Sequence, residues 1–284
     1  MAGEKPKLTK KEIAFAVGAG IVATGLAAIA MEDNFDVVGY TEPPAIMANG
    51  PTEMTYDVAD FNEIWLNGPQ DVVVTYGEEF SVRSEGSALA LGTLQARVSG
   101  DRLTIGPPEG FNMGNWQMLR NATFYVTMPS LSAVELTGYG DMQIDRVEGE
   151  RFSAAIAGSD STLEIADMVV DEAEITIAGS GEISLAGEAR EARFFIGGSG
   201  DINAERLQSE TANITIGGLG DVSLSVSDDA RIAIGGRGDV DIHGRATCSV
   251  TQVGGGDVDC GLPVLPGMEA DAAVEEETAE GEAG

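Results

Sequence analysis

Six acidic residues recur at nearly even spacing, each closing a glycine-rich turn: Asp141, Glu182, Asp201, Asp221, Asp239 and Asp257. The gaps among the last five are 19, 20, 18 and 18 residues, and the 41 residues between Asp141 and Glu182 leave room for two periods. Stacked carboxylates could do two kinds of chemistry. They could bind Ca²⁺, which takes several oxygen ligands. They could also supply the carboxylate pair that glycoside hydrolysis needs. Against calcium, the spacing is about twice that of the nine-residue calcium repeat, and Glu182 breaks the Asp series. A third role is architectural: each acid accepts backbone N–H groups of its own turn. For catalysis, any ladder of acids meets the required separation, so spacing alone selects nothing. No column pairs an arginine with the acids over several periods, and no lysine follows Lys11.

Other reactive residues are few. His243 is the sole histidine and falls in an outward phase, as a solvated strand residue. No serine sits in a G-x-S-x-G setting. Arg237-Gly238-Asp239 spells RGD, yet the repeat already dictates its glycine and acid, leaving the arginine as the one added feature. Cys248 and Cys260 are the two cysteines. In an exported chain they suit a disulfide stapling the last period; the alternative is two buried thiols. Phe111, Met113, Trp116 and Met118 lie in an irregular loop, 106–119, which suits a partner surface or a cap on the fold.

The chain has 284 residues with 47 acids against 16 basic residues, a net charge of −31. Its four lysines all lie in the first eleven positions. Such a surface repels nucleic acid and anionic lipid headgroups, which excludes nucleic-acid binding. Residues 13–31 form an uncharged apolar run between a basic stretch and an acidic one. That polarity puts the N-terminus in the cytoplasm and sends the body across the membrane. The run suits either a cleaved signal peptide or a retained membrane anchor, a membrane-targeting helix in both cases. The body then works in the periplasm or at the cell surface. Residues 32–56 read as a linker, and residues 263–284 as a disordered acidic tail.

The elements that position the acids are strands. Nine before each acid stand Ala173, Ala192, Ala212, Ala230 and Cys248; seven before, Ile175, Phe194, Ile214, Ile232 and Val250. Five before stand Ile177, Ile196, Ile216, Ile234 and Gln252. Apolar residues at alternate positions bury one face of a strand, and the recurring columns mean that identical faces stack. The pattern predicts an all-β fold over 57–262: a parallel β-helix, or β-solenoid, with about 18–21 residues per coil. Glycines three and one before each acid form a corner where positive φ and close stacking both favour glycine. The segment "AAIAGSDSTLEI" (154–165) is the period whose turn has one extra residue and no acid in place.

"FNEIWLNGPQDVVVTYGEEFSVRSEG", "DRLTIG", "VTMPSLSAVELTGYGDMQI" and the serial "GSGD" turns together resemble the bacterial head GIN-domain family of auto-transporter adhesins, over roughly Val58 to Cys260. The resemblance implies an exported right-handed parallel β-helix with no established enzymatic activity and no catalytic residues to carry over. The reading is a non-enzymatic protein of the cell envelope, structural or adhesive, with a protein or glycan partner and no cofactor. The alternatives are a calcium-binding repeat module and a polysaccharide-active enzyme. Candidate binding residues are Phe111, Trp116, Asp201, Asp221 and Asp239.

Overall fold

The computed structural model describes residues 52–111 and 117–261. The chain divides into two units, residues 1–42 and 43–284, and every described residue belongs to the second. The membrane-targeting segment 13–31, the linker up to residue 51, Trp116 and the acidic tail lie outside the described residues. Among the described residues no helix is long and apolar enough to cross a membrane.

The strands are β1 (Glu53–Tyr56), β2 (Glu63–Leu66), β3 (Asp71–Tyr76), β4 (Ser81–Gly86), β5 (Gln95–Ser99), β6 (Arg102–Gly106), β7 (Ala122–Met128), β8 (Ala133–Leu136) and β9 (Met142–Ile144). They continue with β10 (Val147–Ile156), β11 (Ser161–Ile177), β12 (Ser180–Ile196), β13 (Ser199–Ile216), β14 (Val222–Ile234), β15 (Val240–Gly244), β16 (Thr247–Gln252) and β17 (Val258–Cys260). One short helix, α1 (Ala88–Thr93), sits at the first end, its N-terminus capped by the Ser87 hydroxyl.

From β8 and β9 onward each coil stacks in parallel on the one before. The ladders are in register: Ile196 pairs with Ile216, Ile216 with Ile234, and Ile234 with Gln252. These three isoleucines are fully buried or nearly so. Burying each such side chain contributes roughly 1.5–3 kcal/mol, and each rung repeats the gain. The uneven period has a specific outlet. Between β13 and β14 the register jumps at Ala204/Gln208 and Ser209/Thr211, and between β12 and β13 at Ser184/Ala186. Coils of 18 to 20 residues thus keep both aliphatic ladders aligned and absorb the difference on the remaining side.

Glycine at the corners is required by stacking more than by backbone angle. A Cβ on Gly198 would meet the Gly179 carbonyl oxygen at 1.9 Å, and one on Gly218 would meet that of Gly198 at 1.9 Å. Within the acid-bearing corners of the later coils, positive φ is confined to Gly220 and Gly256. Each corner glycine therefore leaves room for the carbonyl beneath it.

The stack runs further toward the N-terminus than the acidic repeat suggests. Leu66 through Asp71, "LNGPQD", makes the same corner one level below Leu136 through Asp141. Here Gln70 fills the position taken by glycine in later coils, and its amide donates to the Ile105 carbonyl at 3.1 Å. Chain order is broken at this end, because β2 lies between β6 and β8. The antiparallel strands β4 and β5, with α1, close it. At the other end the last coil is open: Val250 is 45% exposed and Val253 90%.

Candidate functional site

The acids expected to bind stand in one outward column, but their geometry is not that of ligands around an ion. The N–H of Asp221 donates to Oδ1 of Asp201, that of Asp239 to Oδ1 of Asp221, and that of Asp257 to Oδ1 of Asp239, each at 2.8 Å. The expectation was a bond within the acid's own turn. The bond instead runs up the stack to the next coil, because parallel coils bring the following N–H directly over each carboxylate. Asp141 Oδ1 accepts from the N–H of Thr162, and the column extends one level below the repeat, where Asp71 Oδ1 accepts from the N–H of Asp141. Thr162 takes the acid position in the irregular coil, where the extra residue Asp160 adopts φ +53. Among the described residues no group of three or more His, Cys, Asp and Glu side chains is arranged to hold a metal ion.

Asp71 stands at the first end of this column. Burial raises its pKa above the usual carboxylate value; the Asp141 N–H opposes the shift, the Asp141 charge adds to it, and the Arg120 guanidinium lowers it.

Cys248 and Cys260 form a disulfide with Cα atoms 6.4 Å apart. They continue the columns of Ala230 and Ile242 into the open last coil. Phe111 is half-buried against the core. His243 is exposed on β15 opposite Ser225.

Two recesses differ sharply in charge. The first, of about 540 Å³, is lined by Glu150, Asp171, Glu172, Glu191 and Glu210 with Arg151 and Arg190. Its arginines are engaged: Arg151 with Glu172 at 2.7 Å and Arg190 with Asp171 at 3.2 Å. The second, of about 920 Å³, lies where residues 117–121 meet the solenoid corner. Its lining brings together Gln117, Arg120 and Asn121 from before β7 with Asn67, Gly138, Tyr139, Gly158 and Ser159 from the solenoid corners. Among the described residues no carboxylate lines it. The Thr137 hydroxyl beside it accepts from Trp65 Nε1 at 2.9 Å, which fixes that rim.

Of the loop's candidates, Phe111 does not line this recess and Trp116 lies outside the described residues. Tyr139, Arg120 and Asn67 were not singled out from sequence. Tyr139 did carry a signal: it occupies a corner position held by Ser159, Ser180 and Ser199 in the next coils, and it is 46% exposed.

Stacked parallel coils and glycine corners define a β-solenoid. Residues 60–246 match the family described as "Putative auto-transporter adhesin, head GIN domain", and the chain belongs to that family. Solved structures share the fold. A "putative adhesin" from Bacteroides fragilis NCTC 9343 has a TM-score of 0.65 at 19% identity, covering 73% of this chain and 96% of that one. A "putative adhesin" from Parabacteroides merdae ATCC 43184 gives 0.54 at 18%, covering 73% and 95%. A "Putative lipid binding protein" from Parabacteroides distasonis ATCC 8503 gives 0.56 at 18%, covering 74% and 97%. A search of curated proteins returned no match.

Proposed function

We propose that this chain is a non-enzymatic, exported adhesion protein of the bacterial envelope. Residues 13–31 direct it across the membrane, and its solenoid holds a protein or glycan partner outside the cytoplasm. The coils wind right-handed, the hand that parallel β crossovers take almost without exception. The observation carrying this reading is the division of labour among the polar groups. The stacked acids spend one oxygen each on holding the next coil. The recess beside Tyr139, by contrast, carries amide, guanidinium and hydroxyl groups on a rigid stack. A rigid scaffold presenting a few polar groups suits binding.

The test is sedimentation of the exported body with isolated bacterial envelopes. Saturable binding without release of new reducing ends is expected. Absence of saturable binding would overturn the adhesive reading, and accumulation of new reducing ends would overturn the non-enzymatic one.

A further inference from the structure

Resting on the adhesive reading, we propose that the recess beside Tyr139 binds a saccharide unit bearing a carboxylate, with Arg120 receiving that group. The argument begins with charge. In a chain of net charge −31, a recess of this size with no carboxylate among the described residues lining it is a local exception. The contrasting recess repels an anion with five carboxylates, and its arginines are already bound. Arg120 joins none of the ion pairs among the described residues. Its charge acts on Asp71, whose Oδ1 already accepts the Asp141 N–H. An exposed guanidinium with this freedom favours a ligand carboxylate, which it can grip through two parallel N–H bonds.

The remaining lining identifies the rest of the ligand. Asn67, Gln117 and Asn121 bring three primary amides, each able to donate and to accept. That alternation matches the vicinal hydroxyls of a sugar ring better than an apolar side chain. Tyr139 adds an exposed aromatic ring at the rim. Thr137 is spent, since it accepts from Trp65 and donates to the Leu66 carbonyl at 3.4 Å. It therefore shapes the rim and leaves recognition to the other groups. A peptide anchor would want a deep apolar pocket, and the lining has Pro69 and Ala157 as its purely apolar side chains. Asp71, at the first end of the acid column, interacts electrostatically with Arg120, so a ligand carboxylate must compete with it for that guanidinium.

The test is calorimetric titration of the full-length chain with three probes: a galacturonate trisaccharide, its carboxyl-reduced neutral twin, and a tripeptide ending in a free carboxylate. The acidic trisaccharide is expected to bind at least about ten-fold more tightly than its twin, the range of one charge-assisted hydrogen bond. Arg120→Gln should erase that difference with no change in melting temperature. Tyr139→Ala should weaken both sugars, while Arg237→Gln on a later corner should change neither. Equal binding of acidic and neutral sugars, or no sugar binding at all, overturns the proposal. Preference for the tripeptide overturns it in favour of a protein partner. Envelope binding that survives both Arg120→Gln and Tyr139→Ala also overturns it, while leaving the adhesive reading intact.

Discussion

The backbone N–H of Asp239 donates to Oδ1 of Asp221 at 2.8 Å, so an acid in one coil holds the backbone of the next. The bond carries a cost. Carboxylates stacked about 4.8 Å apart repel by roughly 1 kcal/mol per neighbouring pair at water's dielectric, before screening. Asparagine keeps the accepting oxygen and removes the repulsion. Asp221→Asn is therefore expected to be neutral or slightly stabilising, most visibly at low salt. Asp221→Ala loses the acceptor and should cost about 1 kcal/mol. Thermal melts of both variants at low and high salt check this pair, and the opposite order would contradict it.

Glycine at the corners answers to the coil beneath. A Cβ at position 198 would lie 1.9 Å from the Gly179 carbonyl oxygen, whereas one on Gly149 meets nothing within 4 Å. Gly198→Ala should cost about 3 kcal/mol, because backbone on both sides must move. Gly149→Ala should be close to neutral. Urea denaturation of the two variants separates stacking from a general glycine effect.

Removing a rung of the aliphatic ladder leaves a cavity between two others. Ile216 is fully buried, with Ile196 and Ile234 as its register partners. Ile216→Ala is expected to cost about 2–5 kcal/mol. Ile216→Val should cost about 0.5–1.5 kcal/mol, and equilibrium denaturation gives both values.

Asp71 supplies a pH dependence of known sign. Burial first, then the Asp141 charge, raises its folded pKa above the ordinary 3.8. The folded state thus binds this proton more tightly than the unfolded chain does. Its contribution to stability is fully present below the unfolded value and falls as pH rises through the folded one. Asp71→Asn, which keeps an oxygen for the Asp141 N–H, should raise the melting temperature at pH 7. The gain should shrink as pH falls below 3.8. A gain independent of pH would contradict the assignment.

The disulfide acts on the open end. It closes a loop of 12 residues' separation across the last coil. Cys248→Ser with Cys260→Ser should release a constraint worth about 3 kcal/mol. Because β16 and β17 are the final rungs, the loss should appear as local fraying. Amide hydrogen exchange should rise in residues 247–260 and stay unchanged near Ile196, and a uniform rise along the stack would contradict this.

The ladders of Ala, Ile and Val were legible in sequence because a solenoid writes the same contact once per coil. The direction of the Asp bonds was not, since a column shows which residues stack and leaves open which N–H each carboxylate meets. The first end was hidden for a different reason. Its rungs join β6, β2 and β8 out of chain order, so no period marks them. The recess had the same obstacle: Asn67, Arg120 and Tyr139 come from three separated segments and share a surface through stacking alone. The odd tyrosine at a serine position was the sole local sign.

The most direct test of the stacked-coil account is a methyl NOE experiment on the isotope-labelled chain. Ile216 should show contacts to both Ile196 and Ile234, while those two, separated by two rungs or about 9.6 Å, should show none to each other. A direct Ile196–Ile234 contact, or an Ile216 that sees neither neighbour, would contradict the stacking on which the acid ladder, the glycine corners and the recess all depend.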